Sequence, residues 1–423
     1  MKKYYRLGVA ADRELLHRSA DLLDGFVINA HIGTWAGGWL PLFLRQLGKR
    51  YYIDPYTSIF SHNIEGALNP SGETKASYTK LAERLPEVMR DALDHVSSVQ
   101  PTNMLDEGVV SDTVDSILRI QRELFQVRDP DQVSILEYMD FLDGGAKDDE
   151  LRPEFIVAPY FRFDALDDPW LEVNKMMMGL TLDRKGPDER VMVVVHTTEG
   201  IVVSSDACER ITEIVEGAEA VNLWIDSFDE TRASAALLSA LSALVQSLER
   251  DGKEVHLSYG GYLSIILQKM GLAGSCSGLG YGMSKGVEAK TTGGGFHKRW
   301  YHPELHAYMD EAAFRSYFST YPSELDCTCP ACQAARQRTR LTAEDGTPEF
   351  IDGFMSSMDK DRLNLHFLHC RNQEVHDTRD SSIEDIIAQL RDVQEKAERN
   401  RFRDYNITFD FLDRWISFLS GLG

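Results

Sequence analysis

Eight short apolar runs, separated mostly by helix-length segments, constrain this chain more than any other feature. They are "YYRLGVAA" (4–11), "GFVINAHI" (25–32), "RYYIDPYT" (50–57), "EFIVAPYFRF" (154–163), "RVMVVVHTT" (190–198), "AVNLWIDSF" (220–228), "EVHLSYGG" (254–261) and "GSCSGLGYG" (274–282). The central runs are continuous Val, Ile and Leu rather than alternating, the pattern of strands buried on both faces. Between the later runs the segments read as helices. "DETRASAALLSALSALVQSLERDG" (229–252) has an acidic first turn, an Ala/Leu body and a glycine stop. Strand–helix alternation with eight strands predicts an α/β fold, a (β/α)8 TIM barrel over residues 1–283. A doubly wound open sheet is the second architecture the pattern allows.

Two regions depart from the alternation. Residues 75–150 contain "ASYTKLAERLPEVMRDALDHV" and "VVSDTVDSILRIQRELFQV", amphipathic helices that predict a helical insertion in the barrel. After residue 283 the composition changes again. Residues 284–380 are expected to form a zinc-binding subdomain, and 381–423 helices that pack on the barrel. "SSIEDIIAQLRDVQEKAERNR" (381–401) opens with a serine cap. No internal repeat or low-complexity tail is present.

Apolar residues make up 43% of the 423, enough for a sizeable core. No run of about 18 apolar residues suggests a membrane span. The N-terminus lacks the apolar core of a secretory signal, and six cysteines in this length do not make a disulfide scaffold. A reducing cytoplasm fits. The net charge of −22 argues against broad electrostatic binding of nucleic acid. Two basic islands stand out against it: Lys285, Lys290, Lys298 and Arg299 with only Glu288, then Arg336, Arg338 and Arg340 with no acid until Glu344. They read either as solvated surface or as a phosphate-facing surface.

The islands flank "SELDCTCPACQAARQR" (323–338), where Cys327, Cys329 and Cys332 have the spacing C-x-C-x-x-C. Thiolates so spaced converge on one tetrahedral ion, and Zn²⁺ then needs one more nitrogen or sulphur ligand. No His or Cys follows until "RLNLHFLHCRNQEVH" (362–376), which offers His366, His369, Cys370 and His376. His366, in an apolar helical context, is the expected fourth ligand; His369 and Cys370 are the alternatives. A closed Cys₃His site leaves no open position for water and is structural. A redox reading of the C-x-x-C lacks the strand-to-helix setting of thioredoxin-like sites.

A barrel followed by C-x-C-x-x-C, a gap and a helix-borne histidine resembles the tRNA-guanine transglycosylase superfamily, and within it the 7-deazaguanine DNA-modification transglycosylases. "EVHLSYGGYLSIILQKMGLAGSCSGLGYGMSKG" is similar to the family's seventh strand, connecting helix and eighth strand. "TTGGGFHKRWYHPELHAYM" is similar to its strand-rich lead into the zinc loop. The resemblance implies a structural Zn²⁺, a homodimer or accessory modification proteins, and exchange of guanine in nucleic acid for a 7-deazaguanine base such as preQ0 through a covalent Asp–sugar intermediate. The 33 residues between Cys332 and His366 exceed the family's usual gap, and "GSCSGLGYG" carries no acid where the family places its nucleophile. The common Ser-Asp-Ser-Gly-Gly-Phe-Gln signature is also missing. This divergence favours DNA over tRNA. A tRNA enzyme of the same chemistry and a non-catalytic, zinc-stabilised nucleic-acid-binding barrel are the alternatives.

Base exchange needs two carboxylates at the C-terminal ends of barrel strands, as in retaining glycosidases, where they lie about 5 Å apart. Asp54 closes "YYID" and Asp226 closes "LWID"; these are the expected catalytic pair. Asp229, three residues on, reads as a helix cap. Planar bases are held by stacking and edge hydrogen bonds. Phe161, Phe163, His196 and Tyr259 are candidates for stacking, Asp164 for reading a guanine-like edge, and Gly260 and Gly261 for close backbone approach. Ordinary barrel filling is the competing role for each aromatic. "SGLGYG" lacks the spacing of a dinucleotide fingerprint.

Overall fold

The computed structural model describes residues 1–8, 13–126, 152–278, 285–286 and 297–422. Its centre is a barrel of eight parallel strands: β1 (Lys2–Leu7), β2 (Gly25–Asn29), β3 (Arg50–Asp54), β4 (Ile156–Val157), β5 (Val191–Thr197), β6 (Ala220–Ile225), β7 (Glu254–Ser258) and β8 (Leu272–Ser277). Neighbouring strands follow chain order, and β8 returns to pair with β1, Cys276 opposite Tyr4. The expected (β/α)8 architecture is therefore observed.

The barrel's weakest seam lies between β3 and β4. The run 154–163 forms only two residues of strand, because Pro159 has no N–H and restricts the residue before it. One backbone bond crosses this seam, from Glu154 N to Tyr51 O at 2.7 Å. A side chain completes it. Gln121, fully buried on the helix Glu107–Glu123, accepts from Val157 N at 2.7 Å and donates to Val157 O at 2.8 Å. A primary amide carries the donor and acceptor of a peptide unit, so it stands in for a missing strand neighbour. Farther along, the Thr57 hydroxyl accepts from Tyr160 N at 2.8 Å.

Gln121 belongs to the predicted insertion, which is observed as Ala76–Ala82, Glu87–Asp94, Pro101–Met104 and Glu107–Glu123. The stretch read as one amphipathic helix is two, because Pro86 takes extended backbone (φ −63°, ψ 160°) and starts the second. The remainder of the insertion, 127–151, lies outside the described residues. The helix expected over 229–252 runs from Ala235 to Arg250. It begins at Ser234, whose hydroxyl accepts from Leu237 N, and its first turn is not acidic.

The two ends of the barrel differ. At the N-terminal end, Lys2 bridges Glu154 and Glu254 (2.7 Å each), and Arg190 also pairs with Glu254. Above this lattice Tyr4 packs against Tyr52 and His256, and His256 against Phe155. This end is a closed layer, and chemistry in such barrels sits at the other.

Beyond the barrel a hairpin, β9 (Arg299–His302) and β10 (Ala307–Asp310), leads into helices Glu311–Thr320, Pro330–Thr339, Pro348–Ser357 and Lys360–Asp380. Helix Ile383–Arg399 starts in a Ser382–Asp385 capping box. The last helix, Phe411–Ser420, returns to the barrel: Trp415 Nε1 donates to Glu230 O at 3.0 Å and Arg414 Nε to Ala233 O at 3.1 Å. Among the described residues, no helix is long and apolar enough to cross a membrane.

Candidate functional site: a barrel mouth and a cysteine–histidine cluster

All eight strands deliver a side chain to the C-terminal mouth or its rim: Arg6, Asn29, Asp54, Tyr160, His196, Trp224, Tyr259 and Cys276 lie at or just past their ends. Arg6 is a charged residue in an apolar strand, and burial obliges it to find a partner. Its Nη1 pairs with Asp54 Oδ2 at 2.6 Å and also reaches Asn29 Oδ1. The other Asp54 oxygen accepts from the Tyr160 hydroxyl at 2.8 Å and from Tyr56 N at 2.9 Å. Both oxygens of this buried carboxylate are thus engaged.

Asp226 is placed differently. It stands one residue past β6, its side chain 14% exposed, with Oδ2 3.5 Å from Arg162 Nη1. Arg162 also pairs with Asp164 at 2.8 Å, and Asp164 lies 3.8 Å from His62. Asp229 accepts from Thr231 N and Thr231 Oγ1, so it caps a turn ahead of the helix.

The mouth is walled by aromatics. His196 stacks on Trp224 with ring centroids 3.9 Å apart, and Tyr56 and Tyr259 tilt against the same indole. Burial, with Arg162, His62 and Lys285 adding positive charge, holds the His196 imidazole well below its ordinary pKa and therefore neutral. Lys285 reaches in over the rings of Tyr56, Trp224 and Tyr259. Burial, reinforced by Arg6, lowers its pKa to about 8. Three residues just past strand ends, Tyr56, Ser227 and Tyr259, hold left-handed backbone at φ 48°, 58° and 59°. Such conformations cost a non-glycine residue on the order of 1–2 kcal/mol and concentrate at functional sites.

The other residues expected to bind a base divide. Phe161 stacks on Trp170, away from the mouth aromatics, and its backbone is clasped by Asn174. Phe163 is buried, with its N–H on His196 O. The paired glycines serve packing: a Cβ on Gly260 would lie 2.5 Å from Ser264, and one on Gly261 2.2 Å from Glu230. Glu230 Oε2 accepts from Gly261 N and Leu263 N.

The predicted cations are spent unevenly. Arg336 turns back onto the carbonyls of Cys327 and Leu325, and Lys298 onto those of Met355 and Ser356. Arg340 makes a two-pronged pair with Asp345. Arg299 and Arg338 are exposed, and Lys290 lies outside the described residues.

Cys327, Cys329, Cys332 and His366 converge, their donor atoms all within 4.8 Å of one another. Cys329 and Cys332 come together because Pro330 starts a helix and the Cys329 sulphur accepts from Cys332 N. His366 Nδ1 lies 3.6, 3.4 and 3.4 Å from the three sulphurs in chain order. Its Nε2 donates to Tyr301 O at 2.7 Å, and its ring lies against Trp300. Of the alternative ligands, His369 is not part of the cluster, whereas Cys370 places its sulphur 3.6 Å from the same Nδ1.

Sequence reasoning missed Arg6, Tyr160, Trp224 and Arg162. A lone arginine within "YYRLGV" was the one visible signal among them. No family model, curated protein or solved structure matches the chain.

Proposed function

We propose that this protein is a base-exchange transglycosylase, replacing guanine in nucleic acid, DNA in the first instance, with a 7-deazaguanine such as preQ0. The observation that carries the reading is Asp226: a carboxylate 14% exposed, one residue past the end of a barrel strand, at the mouth that His196 and Trp224 wall, whereas the other mouth carboxylate, Asp54, is 2% exposed. A flipped base would be received at the rim of that wall, whose rings are themselves buried. Asp226 would attack C1′ as the base leaves, and the covalent sugar ester would then be displaced by the incoming base. Asp54, locked by Arg6 and Tyr160, would position the mouth and present a fixed charge rather than act as nucleophile. The cytoplasm is the compartment this reading implies.

The metal in this reading is Zn²⁺, in a structural role. Zinc–sulphur bonds of about 2.3 Å and a zinc–nitrogen bond of about 2.0 Å at tetrahedral angles put N and S about 3.5 Å apart, which agrees with 3.4–3.6 Å around His366 Nδ1. The fourth donor closes the tetrahedron and the Tyr301 carbonyl fixes the imidazole tautomer. Zinc would supply cohesion between the cysteine loop and the helix Lys360–Asp380, and no step of the exchange.

The test is incubation of the protein with labelled guanine or preQ0 and either duplex DNA or tRNA. Label entering DNA, and a protein–DNA adduct on denaturing gels that disappears in Asp226→Asn, are the expected results. Label entering tRNA alone would move the substrate to tRNA. No incorporation into either polymer would overturn the enzymatic reading and leave a zinc-stabilised binding barrel.

A further inference from the structure

We propose that Lys285 is the proton carrier of this exchange, giving a proton to the departing guanine and taking one from the incoming 7-deazaguanine. The inference rests on the base-exchange reading above and adds a catalytic residue to it.

Lys285 looks in the sequence like one more surface cation, but its ammonium lies 4.5 Å from the Tyr56 ring centroid, 5.4 Å from Trp224 and 5.7 Å from Tyr259. The rings are buried and the ammonium lies over them, so a base reaching this wall would meet the ammonium first. The backbone at the same point is tied to the nucleophile's neighbour: Lys285 O accepts from Ser227 N at 3.1 Å. A Cβ on Gly286 would lie 2.6 Å from Ser227 Oγ and 3.9 Å from Asp226 Oδ1. Residues 285 and 286 therefore lie beside Asp226 and lay an amine over the buried rings next to it.

The charges facing that amine favour releasing its proton. Arg6 from β1 and Lys75 add positive charge, while His31 and His196, both driven to the neutral form by burial, add none. The Cys276 thiol and the Tyr56 and Tyr259 hydroxyls are pushed up and stay protonated. Two carboxylates lie near: Asp54, committed to Arg6, and Asp226, beside the Lys285–Gly286 backbone and paired with Arg162. Lys285 forms no ion pair among the described residues. A lysine desolvated beside a second cation is the setting in which an amine exchanges protons near neutral pH.

The step balances. An Asp226 oxygen bonds to C1′ while the C1′–N9 pair leaves with the guanine, and the Lys285 ammonium donates its proton to the base, leaving a neutral amine. The 7-deazaguanine then loses its N9 proton to that amine as N9 attacks C1′ and releases the Asp226 carboxylate. The lysine ends as it began.

The test compares wild type, Lys285→Met and Lys285→Arg on DNA carrying guanine or 7-methylguanine, whose cationic ring departs without being protonated. Zinc content and circular dichroism serve as folding controls, and Lys285→Arg carries the test if Lys285→Met does not fold. Expected are losses of about 100-fold or more for both variants on guanine. On 7-methylguanine, adduct formation should recover to within about tenfold of wild type, as expected of a lost acid. The wild-type rate should also fall above roughly pH 8, a limb both variants lose. Exchange by Lys285→Met within threefold of wild type would overturn the inference and leave the base-exchange reading intact. Full activity of Lys285→Arg would assign the residue's role to charge alone and also overturn it. Absence of exchange by wild type on any substrate would remove the reading itself, and this inference with it.

Discussion

His366 donates from Nε2 to the carbonyl of Tyr301 at 2.7 Å, and the hydroxyl of the same tyrosine donates to Glu374 at 2.7 Å. One residue thus holds the histidine of the cysteine–histidine cluster with its backbone and a buried carboxylate with its side chain. Glu374 pairs with Arg371 at 2.9 Å, and Arg371 reaches the Gly261 carbonyl just past β7. The cluster and the barrel mouth are linked by this relay.

On the zinc reading, removing the metal should therefore loosen the loop after β7 as well as the cysteine loop. Cys332→Ser, or treatment with a chelator, is expected to abolish a stoichiometry near one zinc per chain. It should also speed amide exchange at 259–263, measured by hydrogen–deuterium exchange. Unchanged exchange there in metal-free protein would show that the relay carries no coupling.

Glu230 gives a pH dependence with a definite sign. It is fully buried at the junction of barrel and last helix. Burial raises its pKa from the ordinary 4.5 to about 7, against the opposing pull of Arg371 and the backbone N–H groups of Leu263 and Gly261. A carboxyl raised on folding stabilises the fold fully below the unfolded value, and the contribution is lost as pH rises through the folded value. Stability should decline between about pH 4.5 and 7 by on the order of 3 kcal/mol from this group. Glu230→Gln should remove that decline, seen as urea midpoints of variant and wild type that diverge from pH 5 to pH 8.

Gln121→Ala should open the seam between β3 and β4. It orphans the buried N–H and C=O of Val157, each worth roughly 1–3 kcal/mol. Chemical denaturation should report a loss of that size, with faster amide exchange at Val157.

These contacts explain why the sequence was readable only in part. The apolar runs marked all eight strands because burial on both faces writes itself locally. The short β4 follows from Pro159, and the break at Pro86 overrides an amphipathic pattern that looked continuous. The cysteine–histidine cluster was legible because a tetrahedral ion needs four donors and few were on offer. The mouth was less so. Asp54 and Asp226 announced themselves at strand ends, but Arg6 meets Asp54 across 48 residues, and Lys285 turns inward from what reads as a basic surface. Gly260 and Gly261 were read for a ligand and instead make room for Ser264 and Glu230.

The two aspartates of the mouth should fail in opposite ways. Asp54→Asn removes the charge that pairs Arg6 in a buried setting and disturbs an acceptor used by Tyr160 and Tyr56. Breaking a buried pair from one side costs about 3–5 kcal/mol, so denaturant melts should show a large loss, and the double variant Asp54→Asn/Arg6→Met should recover part of it. Asp226 meets Arg162 and the Ser227 hydroxyl at 3.5 Å each and keeps partial access to solvent. Asp226→Asn should shift stability by less than about 1 kcal/mol and, on the base-exchange reading, eliminate the covalent adduct and the exchange. A destabilised but active Asp54→Asn, beside a stable and inactive Asp226→Asn, would separate the residue that builds the mouth from the one that reacts in it. The reverse pattern would exchange the two roles.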